Sequence, residues 1–460
     1  MRFWVITLTV VGFVLVLLFA FAILFFVTLP SRELNREMDW LKANKLPTKI
    51  DELLPSVPAS QNAAPLYRKA FAAMKLSKDE ESWLSKQLSR KLILSGQVDW
   101  TKLKQVVERN HEAIELVHQA ALLPHLRLTN WHKENPLDIE FPHFFKMRNL
   151  ARLLAADAML KKREGDIEGA ARNCVTTFKM AKHLSEDVPT VMGSLVSMAI
   201  FSQGYRALEM TLADAKVRPQ SYRSLIEALS SLDFAKGAVR AWQGERASGL
   251  AVFKWLEEAP YQKRLERLKK VIGLESVNEL SHATAGSSGV IWQFILDNDR
   301  AVYLWAMRRG EEELRVWLLN GPAPSQPEAK KLGDQFKKEF QKRLVRRMAI
   351  ISVVLTSLSS NLGIRAANHE SMRRVVLTAV ALRLYSHEHG RYPKSLRELV
   401  PKYLPSVPLD PFTNKPIQYR RTEKGFVVWS IGWDGKDDGG KLRLDEHKWG
   451  KGDIVWESFR

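Results

Sequence analysis

YSHEHGRYPKSLRELVPKYLPSVPLDPFTNKPIQYRRTEKGFVVWSIGWDGKDDGGKLRLDEHKWGKGDIVW runs from Tyr385 to Trp456. It opens on a helix end: the long apolar run Val375 to Tyr385 gives way to the turn Gly390-Arg391-Tyr392-Pro393, and neither Gly nor Pro sustains a helix. A short amphipathic segment follows, then Asp410-Pro411-Phe412. Ile417 to Arg421, Phe426 to Ile431 and Ile454 to Ser458 are rich in β-branched and aromatic residues, which suit a pleated, half-buried surface. Asn414-Lys415-Pro416 and Glu423-Lys424-Gly425 place turn residues between elements. This order predicts a small α+β module over 366–460 with a three- to four-stranded antiparallel sheet.

Upstream the pattern changes. Apolar residues recur at spacings of three and four, and few stretches alternate with period two, so the fold class is mainly α. Leu150, Leu153, Leu154 and Ala158 form one apolar stripe, and Ala170, Val175, Phe178 and Ala181 a facing one. Gly165-Asp166 between them predicts a helical hairpin over about 146–185. It is similar to one tetratricopeptide-type hairpin, but no second copy follows at a 34-residue period. An irregular helical domain over 66–365 is expected. Pro55, Pro58 and Pro65 mark 30–65 as a linker with a first helix.

Phe3 to Leu29 carries no charged side chain. As a helix it would be about 40 Å long, against a hydrocarbon core of about 30 Å. Trp4 stands where an interfacial anchor would sit, and Pro30 ends the run. The run exceeds the roughly 7–15 apolar residues of a signal peptide. The reading is a signal-anchor: a single-pass transmembrane helix over 3–29 in the lipid bilayer of the inner (cytoplasmic) membrane, with the bulk of the chain periplasmic or otherwise extracytoplasmic.

Seventy Lys and Arg stand against 51 Asp and Glu, a net charge of +19. Such a surface favours anionic neighbours. No RNA-binding motif or zinc-finger spacing accompanies the charge, so nucleic acid is not the expected partner. The expected partners beyond the bilayer are an envelope protein or an anionic glycan. The stretch 327–347 is strongly basic, with Leu332, Phe336, Phe340 and Leu344 recurring every four residues among Lys330, Lys331, Lys337, Lys338, Lys342, Arg343, Arg346 and Arg347. That is a basic amphipathic helix, expected to pack its stripe on the core and solvate its lysines. Met348 to Leu362 is apolar but short and rich in Ser and Thr, and predicts a buried helix. The single cysteine, Cys174, lies in the apolar-periodic run Ala170 to Met180. A buried structural thiol is expected, and one cysteine makes no internal disulfide.

Few residues point to chemistry. His111, His118, His125 and His132 fall seven apart, and His111, Glu115 and His118 share one helical face. That spacing suits a transition metal, but no further ligand follows and a solvated face is expected. His387-Glu388-His389 is not the zinc motif HExxH; it sits at a helix end, where imidazolium complements the dipole. No GxSxG, phosphate-binding or dinucleotide-binding motif stands at a strand–helix turn. A carboxylate pair for hydrolysis is open, with Glu245, Asp138 and Glu140 the nearest candidates. The best site is Asp434-Gly435-Lys436-Asp437-Asp438-Gly439-Gly440, with Asp453 returning before the last strand. Hard oxygen ligands on a tight loop suit calcium, although the spacing is not that of an EF-hand, and solvated turns are the other reading.

The tail resembles the carboxy-terminal domain of the type II secretion major pseudopilins over about 379–456. The resemblance rests on Gly390-Arg391-Tyr392-Pro393, Leu396-x-x-Leu399-Val400-Pro401, Pro408-x-Asp410-Pro411-Phe412, Pro416-x-x-Tyr419, Ser430-x-Gly432-x-Asp434-Gly435, Gly439-Gly440 and Asp453-Ile454. It implies a calcium-ordered loop, with Asp434, Asp437 or Asp438, and Asp453 as ligands. The prepilin cleavage motif is missing, and over 300 residues separate the apolar segment from the tail. A polymerising subunit is therefore not expected. The whole chain also resembles a group of uncharacterised bacterial membrane-anchored proteins that join such a tail to a helical body. The expected function is a non-catalytic scaffold or interaction protein. A hydrolase-type enzyme with a carboxylate site in the helical domain, and a binder of anionic glycan or lipid through the basic surface, are the alternatives.

Overall fold

A computed structural model describes residues 31–457, apart from 90, 91, 93, 94, 213–215, 274–288, 348, 350, 353–360, 424 and 442–451. Its principal helices are α1 (Ala64–Ala73), α2 (Trp100–Arg109), α3 (His111–Ala120), α4 (His143–Arg163), α5 (Ile167–Asp187), α6 (Val191–Thr211), α7 (Pro219–Ser230), α8 (Phe234–Glu257), α9 (Gly289–Arg315), α10 (Gln326–Arg347) and α11 (Leu362–His389). The strands are β1 (Gln418–Arg421), β2 (Phe426–Ser430) and β3 (Ile454–Glu457). They form an antiparallel sheet in the order β1-β2-β3, with Gln418 opposite Trp429 and Ser430 opposite Ile454.

The predicted hairpin is α4 and α5, turned at Gly165, whose φ of 86° lies in the left-handed region that favours glycine. Asp166 caps α5 by accepting the Gly169 N–H at 2.9 Å. Leu150, Leu153, Leu154 and Ala158 meet Ala170, Phe178 and Ala181 in the core. Helix α6 then packs along α5, closely enough that a Cβ on Gly204 would lie 2.8 Å from the Phe178 ring. Thr190 caps α6 through Gly193 N–H and Asp233 caps α8 through Lys236 N–H, each at 2.9 Å.

Helix α11 is buried along most of its length and packs against α7, α8 and the sheet. Gly390, at φ 70°, ends it where Gly390-Arg391-Tyr392-Pro393 predicts a stop. One apolar cluster runs from Leu34 to Trp456, so the sheet rests on the same core as the helices. Tyr205 of α6 meets Trp456 edge-on at 5.6 Å and donates its hydroxyl to the Val455 carbonyl at 3.4 Å. Arg374 of α11 donates to the Leu409 carbonyl at 2.8 Å.

The membrane assignment is corrected. Among the described residues no helix is long and apolar enough to cross a membrane. In α11, the longest described helix, Arg365, Glu370, Arg373, Arg374, Arg383 and Glu388 recur along the length. The expected span 3–29 lies outside the described residues. The single-pass, signal-anchor and inner-membrane readings therefore have no support in the structure. Most of Met348 to Leu362 also lies outside the described residues; within it Ile351 and Ser352 are buried and donate their N–H groups to Asp299 at 2.7 and 2.8 Å.

Candidate functional site

The Asp/Gly loop covers the outer face of the sheet. Gly440 lies over Trp429, where a Cβ would approach the indole to 2.9 Å. The Trp429 indole N–H donates to Asp437 Oδ1 at 3.0 Å, and Gly439 N–H donates to the same oxygen at 2.8 Å. Asp453 accepts from Asp438 N–H at 3.1 Å and Gly440 N–H at 2.8 Å. Asp434 accepts from Gly452 N–H at 2.6 Å and Lys436 N–H at 3.2 Å. Burial raises the Asp453 carboxyl, and the Gly440 and Asp438 N–H groups oppose that rise. Asp434, Asp437 and Asp453 thus close the loop through N–H donors. Among the described residues no group of three or more His, Cys, Asp or Glu side chains is placed to hold a metal ion.

The other sequence candidates are dispersed. His118 does not share a solvated face with His111: its Nδ1 lies 2.7 Å from Thr176 Oγ1 on α5, and burial lowers its pKa. Glu115 pairs with Arg172 at 3.0 Å. His125 lies 3.7 Å from Asp187 and His132 3.3 Å from Asp51. His389 stacks on Tyr385 at 4.1 Å, and Glu388 binds Arg223 and Tyr403 at 3.1 and 2.8 Å. Glu245 reaches the first turn of α6 and accepts Val191 N–H at 2.8 Å; burial raises its carboxyl. Asp138 accepts from Asn135 on the surface at 2.9 Å, and Glu140 is exposed.

The basic helix α10 lies along α9. Phe336 stacks on Trp305 at 5.9 Å and on Phe340 at 5.9 Å, and the Arg343 guanidinium sits 4.3 Å from the Trp305 ring centre. The stripe Leu332, Phe336, Phe340 and Leu344 is half-buried, while Lys330, Lys331, Lys337, Lys338 and Lys342 are exposed. None of those five lysines has an ion pair among the described residues. Val345, three residues past Lys342, has 81% of its surface exposed.

A cavity missed by the sequence reading lies between α6, the first turns of α11 and Trp433, with a volume of about 470 Å³. Ser202 Oγ lies 3.3 Å from His369 Nε2 and 3.0 Å from the Met198 carbonyl. His369 Nδ1 lies 2.7 Å from the Arg365 carbonyl. That carbonyl only accepts, so Nδ1 carries the proton and Nε2 of the neutral ring is an acceptor. Burial holds His369 down at about 4, which keeps the ring neutral at pH 7. The single Ser202 hydrogen has two acceptors and serves one at a time. Arg206 and Arg365 also line the cavity, and no carboxylate does. These residues lie on segments distant in sequence, and no local motif marks them.

No family model, curated protein or solved structure matches the chain.

Proposed function

We propose that the protein is a non-catalytic interaction protein that receives an acidic protein surface on the lysine face of α10. The observation that carries this reading is the run of five exposed lysines along α10, with a bare Val345 about one turn beyond the last of them, opposite a stripe held against α9. From Lys330 to Lys342 the face extends about 18 Å at 1.5 Å per residue. Separated like charges on one face raise the local potential and attract a polyanion. The exposed valine favours a protein over a polysaccharide, because a purely charged polymer has no apolar group to cover it. Two buried carboxylates are paired internally, Glu311 with Arg246 and Arg315, and Glu370 with Arg373 and Arg374, which supports a structural role for both.

The test is fluorescence anisotropy of a labelled poly-glutamate chain with the full-length protein. Affinity should fall about tenfold or more between about 50 and 300 mM salt. A Lys337→Gln/Lys338→Gln/Lys342→Gln variant should lose most of the binding, and Val345→Ser should weaken an acidic peptide carrying leucines more than poly-glutamate. Absence of binding, salt-insensitive binding, or an unchanged triple variant overturns the proposal. Tighter binding of a sulfated polysaccharide than of any acidic peptide overturns the choice of partner.

A further inference from the structure

The cavity is independent of the lysine face, and it has the composition of a small-molecule site. Its volume of about 470 Å³ falls within the roughly 300–1,000 Å³ of ligand pockets. Leu195, Met198, Ala199, Ile364 and Trp433 supply an apolar lining. Trp433 is held there because its carbonyl accepts Gln326 N–H at 3.0 Å, which ties the sheet module to the start of α10. Its indole N–H is buried without a hydrogen-bond partner among the described residues.

The polar groups are distributed unevenly. Arg206 is half-buried and Arg365 exposed, so solvent reaches both residues. Neither has an ion pair among the described residues. With no carboxylate in the lining, nothing within the cavity neutralises them. Ser202 and His369 are buried, and together they present hydroxyl and imidazole groups to the interior. A guanidinium group recognises a carboxylate through paired N–H donors. A chamber with apolar walls at Leu195, Met198, Ala199, Ile364 and Trp433, two cations, and neutral polar groups on Ser202, Gln203, Asn361, Asn368 and His369 fits an anion with an apolar body.

We propose that this cavity binds a small organic carboxylate with an apolar body, the carboxylate on Arg206 and Arg365 and the body against Met198, Ile364 and Trp433. Binding here would also bridge α6, α11 and the sheet module. The ligand would then reinforce the contact between the helical body and the tail.

The experiment is calorimetric titration of the full-length protein with 4-phenylbutyrate, and with 4-phenylbutanamide as the uncharged counterpart. The carboxylate should bind saturably with one site, and the amide at least tenfold more weakly. Arg206→Gln/Arg365→Gln should reduce phenylbutyrate affinity tenfold or more and leave the amide within twofold. Ala199→Trp should block both compounds. Circular dichroism and a thermal melt of each variant establish that it is folded. Absence of saturable binding, equal binding of acid and amide, or wild-type affinity in a folded double-arginine variant overturns the proposal. Loss of poly-glutamate binding with phenylbutyrate binding intact would instead count against the lysine face alone.

Discussion

Glu370→Gln should loosen the joint between the tail and the helical body. Glu370 lies on α11 with its carboxylate fully enclosed. It accepts from Arg373 Nε at 2.9 Å, Arg373 Nη2 at 2.5 Å and Arg374 Nε at 2.7 Å, with Phe234 N–H of α8 at 3.3 Å. Arg373 reaches on to the Leu229 carbonyl of α7 at 2.9 Å, and Arg374 to Leu409 in the tail at 2.8 Å. One carboxylate therefore orders four segments. Burial alone would raise its pKa, but Arg373 and then Arg374 overcome burial and hold it at about 2. Measured from an ordinary value of 4.5, this contributes roughly 3 kcal/mol at neutral pH. The folded pKa is depressed, so the contribution is complete above the unfolded value and disappears as pH falls toward about 2. Urea unfolding of wild type and Glu370→Gln should differ by roughly 3 kcal/mol at pH 7 and by less than half of that at pH 3. A difference under about 1 kcal/mol at pH 7, or one that does not shrink between pH 5 and pH 3, refutes the reasoning.

Gly244→Ala puts a Cβ about where the Pro189 carbonyl oxygen stands, 1.7 Å away; the α8 crossing must shift, and a urea midpoint should report a loss of about 1–3 kcal/mol. Asp453→Ala removes the acceptor for Asp438 and Gly440 N–H, and the loss should be about 1–3 kcal/mol in the same assay. Because the loop is closed by its own hydrogen bonds, calcium and chelator should give the same melting temperature for wild type and for Asp434→Ala. Burial pushes the Cys174 thiol up to about 12, so the native protein should leave Ellman's reagent unreacted at pH 8 and react with it once unfolded in guanidinium.

Local chemistry is what the sequence made legible. Gly165 and Gly390 mark a turn and a helix end because their positive φ is accessible to glycine at little cost. The predicted strand runs coincide with β1, β2 and β3 to within a residue or so at each end, because β-branched and aromatic residues there alternate with turn residues. The stripe on α10 could be read from its four-residue spacing, and its packing on Trp305 follows from it.

The site residues were less legible. Four aspartates in the sequence could equally ligate a cation or accept N–H groups. The choice between those roles depends on where Trp429, Gly440 and Gly452 are placed. The His111–His118 spacing gave no sign of Thr176, which lies on a different helix. The cavity gave none either, since Ser202, His369 and Trp433 come together only when α6, α11 and the sheet module pack.

By itself, the sequence determined the mainly helical class, the α4–α5 hairpin, the antiparallel strands and the basic stripe, because each follows from residues within one or two turns or one hairpin. Tertiary structure alone decided that the tail shares the helical core, that Glu370 is held ionised between two arginines, and that an arginine-lined cavity lies beside Trp433. These depend on contacts between segments as much as 250 residues apart, such as Tyr205 with Val455, and no local pattern encodes such a distance.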